Sequence, residues 1–125
     1  MSRVIFALGF ALGLAGCDDP SGPGSYSVSV TTGSGAPGSA LLLFIGDGLI
    51  RVQGAGGTLG WSGEVSGDPG EMRALLIDPD ASGGMTFRLF VEDVSAPIPA
   101  VSVLQLADRQ NQRFQPQDIQ IRFQR

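Results

Sequence analysis

The 125 residues hold twelve acids against eight arginines, with neither lysine nor histidine, and carry a net charge of −4. An acidic chain without a basic footprint is not built to grip nucleic-acid phosphates. The missing histidines and lysines exclude Ser-His-Asp and Cys-His catalysis, Schiff-base chemistry and an ordinary zinc site. The length fits one domain. Its 19 glycines and 8 prolines work against helix interiors, so an all-β fold is expected, with no cofactor.

The chain opens with Met1-Ser2-Arg3, a short positive segment, and then runs apolar for 13 residues from Val4 to Gly16. As a helix that run would span about 20 Å at ~1.5 Å per residue, short of the ~30 Å hydrocarbon layer. It suits the apolar region of a signal peptide. The run ends on Leu14-Ala15-Gly16-Cys17, which resembles the lipobox of bacterial lipoproteins. The resemblance implies a diacylglyceryl thioether on Cys17, cleavage between Gly16 and Cys17, and a mature protein moored in a membrane of the cell envelope. Several acyl chains are enough for lasting attachment. Cys17 is the single cysteine, so no disulfide can form within the chain. Asp18 directly follows it, and in enterobacterial lipoproteins aspartate there is similar to an inner-membrane retention signal.

Residues 17–25 read as the lipidated cysteine and a flexible tether, because Asp18 to Ser25 offers no apolar side chain for burial. Those eight residues reach at most about 28 Å at ~3.5 Å each, which keeps the domain close to the bilayer. Residues 26–125 form the domain. Tyr26 to Thr31 alternates apolar residues with hydroxyls, the pattern of a strand with one wet face. Ala40 to Ile45 is continuously apolar and predicts a central strand buried on both sides. Gly46-Asp47-Gly48 then predicts a tight hairpin into Leu49 to Gln53.

Thr58 to Val65 is a glycine-interrupted strand around Trp61, and Met72 to Ile77 another apolar run closed by the turn Asp78 to Gly84. Met85, Phe87, Leu89 and Val91 share one face of the next strand. Pro97 and Pro99 mark an edge or crossover before Val101 to Leu106. In the last strand Ile119, Ile121 and Phe123 face one way and Gln120, Arg122 and Gln124 the other. About eight strands predict a single antiparallel two-layer β-sandwich. The runs Met85–Val91, Val101–Asp108 and Ile119–Phe123, with Ala40–Ile45 earlier, resemble strands of cohesin-type sandwiches. That resemblance implies a protein-binding sandwich; no dockerin-like segment accompanies it.

Asp78-Pro79-Asp80-Ala81-Ser82-Gly83 resembles the first half of a calcium loop. An EF-hand needs a bidentate glutamate at its twelfth position, which here is Leu89, so Asp78 and Asp80 read first as turn residues. A looser site drawing on Asp47 or Asp68 is the alternative. Trp61, between Gly60 and Gly63, is expected in the core with small neighbours making room for it; the alternative is an exposed ring that stacks on a ligand. Glu64, Glu71 and Glu92 are the only glutamates, and a carboxylate-based hydrolase acting on envelope glycans would need two acids in one cleft. From Val101 onward Arg109, Arg113, Arg122 and Arg125 outnumber Asp108 and Asp118, which reads first as a solvated strand face; the alternative is an edge that meets anionic lipid or a partner. The expected function is a lipid-anchored, non-catalytic binding or structural module for an envelope protein or glycan. The alternatives are that hydrolase or a calcium-stabilised module.

Overall fold

The structure, a computed structural model, describes residues 21–33, 35–65, 67–81 and 83–125. Cys17, Gly16 and Asp18 lie outside the described residues. The described residues form eight strands: β1 (Gly24–Thr32), β2 (Ser39–Ile45), β3 (Leu49–Ala55), β4 (Leu59–Val65), β5 (Asp68–Ile77), β6 (Met85–Val91), β7 (Ala100–Ala107) and β8 (Ile119–Gln124). A 3-10 turn at Pro116–Asp118 precedes β8. Among the described residues no helix is long and apolar enough to cross a membrane.

Two four-stranded antiparallel sheets face one another, one in the order β3-β6-β1-β8 and the other β4-β5-β2-β7. The expected two-layer sandwich is therefore present. Period-two alternation decides which side chains meet between the layers. Tyr26, Val28 and Val30 of β1, Ala40, Leu42 and Phe44 of β2, and Met85, Phe87, Leu89 and Val91 of β6 are all buried. Phe44 bridges the sheets, meeting Phe87 edge-on at 6.1 Å and Phe123 at 6.4 Å between ring centroids. The Tyr26 hydroxyl, buried with its ring, donates to the Val94 carbonyl at 3.1 Å.

Three expectations are corrected. β2 is buried on one face only: Leu41 and Leu43 are half-buried and Ile45 is exposed. A two-layer fold covers one side of each sheet, and β2 gains partial cover on the other from its neighbours, where Leu41 pairs with Leu75 of β5. Gly46-Asp47-Gly48 is not a hairpin, because β2 and β3 belong to different sheets. Gly48 takes a φ of 71° and accepts at its carbonyl from Glu92 N–H at 2.8 Å, a geometry suited to glycine. Six of the seven connections pass between the sheets, and only β4–β5 stays within one. Finally, β1 starts at Gly24, inside the stretch expected to be flexible. Gly22 N–H donates to Asp93 Oδ1 at 3.1 Å, and its carbonyl accepts from Val94 N–H at 2.9 Å. The chain is thus fastened to the β6–β7 loop before the first strand begins.

Candidate cleft between strands β7 and β8

The two open sides of the sandwich differ. On one, β3 closes onto β4. Val52 N–H donates across the gap to the Ser62 hydroxyl at 2.9 Å, and a Cβ on Gly54 would collide with the Thr58 carbonyl. On the other, β7 and β8 stay apart and leave a cleft of about 800 Å³. Its lining includes Val101, Val103, Phe114, Ile119 and Ile121, all half-buried, with Arg113 exposed at one end. Val101, Val103, Ile119 and Ile121 point into the interior by strand parity and Phe114 packs against the core from the loop, yet all five lack full cover, because no strand closes this side. The lining holds no carboxylate, and Ser102, Gln105, Gln115 and Arg113 set polar groups beside the apolar side chains, so an occupant would meet a mixed surface. Such a surface offers apolar burial together with polar groups that fix orientation.

Above the cleft, the loop from Ala107 to Pro116 is tied by Asp108. Its Oδ1 accepts from Gln110 N–H and Gln112 N–H, each at 2.9 Å, and Asn111 sits at a left-handed φ of 64°. Arg113 then forms an antiparallel bridge to Ala107, and Phe114 N–H donates to the Leu106 carbonyl at 3.1 Å. A smaller cavity of about 300 Å³ at this end lies among Gly38, Asp78, Asp108 and Arg109.

Asp78 is buried and organises its own turn: its Oδ1 accepts from Asp80 N–H at 3.2 Å and its carbonyl from Ala81 N–H at 3.1 Å. Asp80 is exposed. Asp68 opens β5 and Asp78 follows its last residue, so the two are about 30 Å apart at ~3.3 Å per residue. Asp47 lies at the Asp68 end, where Gly46 N–H donates to the Gly70 carbonyl. The fold does not assemble the looser calcium set. Among the described residues no three acids, cysteines or histidines gather as metal ligands.

Trp61 is not in the core; it is 53 % exposed on the outer face of its sheet, opposite Leu75. One of the glycines beside it serves another purpose. Gly60 faces inward, where a Cβ would lie 3.2 Å from Leu76 Cδ2 and 3.1 Å from the Gly54 nitrogen. The inward positions of β4 are small because β3 comes so near, which leaves the odd positions to point out. Leu59, Trp61 and Leu75 form an apolar outer surface there, each at least 41 % exposed.

Of the acids, Asp68 and Glu71 do converge, with a hydrogen bond between their side chains. Sharing that bond pulls the Asp68 carboxyl below its ordinary value, helped by Gly70 N–H, and pushes Glu71 up. A protonated Glu71 donating to an ionised Asp68 accounts for both directions. The pair is half-buried at the start of β5 and lines none of these cavities. Glu64 and Glu92 lie on other elements. At the base of the fold, Asp93 is also drawn below the ordinary range, first by the Ser95 hydroxyl at 2.7 Å, then by Ser95 N–H at 2.9 Å and Gly22 N–H.

Sequence reasoning placed the strands that carry the cleft but did not see the cleft. The available signal was Ala100 to Ala107, a strand with no charged residue, followed by a polar loop whose next apolar residue is Phe114. No known protein family matches the chain, and neither the curated proteins nor the solved structures contain a match.

Proposed function

We propose that the chain is a lipid-anchored protein of the bacterial cell envelope, whose sandwich serves as a non-catalytic binding module acting through the cleft between β7 and β8. The cleft carries the binding half of this reading. Interior positions of both sheets stand half-covered there, whereas the opposite side is closed by a backbone-to-hydroxyl bond and glycine contacts. Leu14-Ala15-Gly16-Cys17 supports the anchor. With Gly22 fastened to the β6–β7 loop, about 17 Å of chain at ~3.5 Å per residue would separate that point from a lipidated Cys17.

The two halves have separate tests. Fatty-acid labelling should mark the wild-type protein and not Cys17→Ser, which should also leave the membrane fraction; equal labelling of both would refute the anchor. Pull-down from membranes should recover a partner with the intact protein and lose it with Ile121→Trp, which fills the cleft. Equal recovery with both would place the binding surface elsewhere.

A further inference from the structure

Each sheet ends in two edge strands: β3 and β8 in one, β4 and β7 in the other. Exposed edges invite pairing with other chains, and natural proteins guard them with charge, proline or cover. β3 carries Arg51, β4 carries Glu64 and β8 carries Arg122, while β7 has neither charge nor proline in Ala-Val-Ser-Val-Leu-Gln-Leu-Ala. Its one irregularity is the extra residue Leu104 at a bulge, which presents an exposed leucine rather than a charge.

The chain itself begins to cover this edge and then leaves it. Arg113 bridges Ala107, and Phe114 bonds to Leu106. The backbone then turns through Pro116–Asp118 into β8 of the other sheet. Among the described residues no further backbone pairs along Val101 to Gln105 on that side. A strand that continued from Phe114 in the same direction would run antiparallel to β7, with alternate side chains over Val103, Ile119 and Ile121.

We propose that β7 is an acceptor edge for an extended segment of another envelope protein, which joins its sheet as a fifth strand and fills the cleft with alternate apolar side chains. The proposal rests on the binding-module reading above and names its partner. Main-chain hydrogen bonds supply affinity in such strand addition, and side-chain pockets supply selectivity. The one charge in the cleft lining is Arg113, in a chain of net charge −4. It calls for a carboxylate near the N-terminal end of the incoming strand. A second copy pairing through β7 fits poorly, because the strand it would bring, Ala-Val-Ser-Val-Leu-Gln-Leu-Ala, holds no acid to meet Arg113.

The test uses the full chain in its own membranes, with a photo-crosslinking residue at Val103 and, as control, at Arg51 on the far edge. The Val103 probe should link to a segment with alternating apolar residues and an acid near its start. That segment, made as a synthetic peptide, should slow amide exchange of Val101 to Gln105 at least tenfold in the purified protein. N-methylation of the peptide amides on the side paired with β7 should weaken binding at least a hundredfold, while N-methylation on the other side should not. Equal affinity for both methylated forms would overturn strand addition, as would crosslinks to a second copy or to lipid acyl chains; in the lipid case the binding module would survive with a different ligand. If neither crosslinks nor pull-down yielded any partner, the binding reading itself would fall.

Discussion

At Gly54 the backbone of β3 passes against the Thr58 carbonyl and the Gly60 amide, so the residue is set by contact rather than by turn geometry. Gly54→Ala should destabilise the domain by about 2–3 kcal/mol, in the range of overpacked cores. Gly63→Ala, with nothing near the added carbon, should change stability by less than about 0.5 kcal/mol, as surface substitutions do. Urea denaturation of the two variants measures the difference. Asp93 gives a pH signature. Its carboxyl is held below the ordinary 3.8 by Ser95 and Gly22, and a group lowered on folding stabilises the native state above its unfolded value. That contribution disappears as pH falls through the lowered value. The Gly22 amide resonance should stay fixed from neutrality down to the ordinary aspartate range and shift only on stronger acidification; Asp93→Asn should flatten the response. The single tryptophan reports its own position: acrylamide should quench Trp61 in the native protein nearly as well as in the unfolded chain.

Among the elements, β2 and β6 hold the layers together. Phe44 is fully buried between Phe87 and Phe123, so Phe44→Ala should cost about 3–5 kcal/mol. A loss under ~1 kcal/mol in chemical denaturation would mean the rings are not packed as described. The strands were legible because alternation fixes which side chains face inward: Met85, Phe87, Leu89 and Val91 all proved buried. Pairing was not legible. Gly46-Asp47-Gly48 has the composition of a hairpin turn, yet it carries the chain from one sheet to the other, since a three-residue link serves either route and the choice depends on β5 and β6 much later in the chain. Trp61 failed for a related reason. Its neighbours Gly60 and Gly63 suggested space around the ring, but Gly60 answers to Gly54 on another strand. The cleft arises from β7 and β8 not closing, and no local pattern encodes a missing contact; β7's lack of charge was the nearest sign.

For the molecule as a whole, the acids divide between the two ends. Asp47, Glu92 and Asp93 sit with the fastened Gly22, while Asp78, Asp80, Asp108 and Asp118 sit in the turns at the far end. With Asp78 engaged in its own turn and far from Asp47 and Asp68, calcium should add nothing to stability. Calorimetry with excess calcium and with chelator should give the same Tm, and a calcium-dependent rise of several degrees would show a site.

The interleaving of the sheets also bears on how the protein is made. β1 pairs with β6 and β8, so a chain leaving a pore amino end first holds its opening strand unmatched until β6 emerges. No strand meets a sheet partner before β5, which then finds both β2 and β4. Such a polypeptide stays open through the first half of its passage and acquires its shape only as the closing strands arrive.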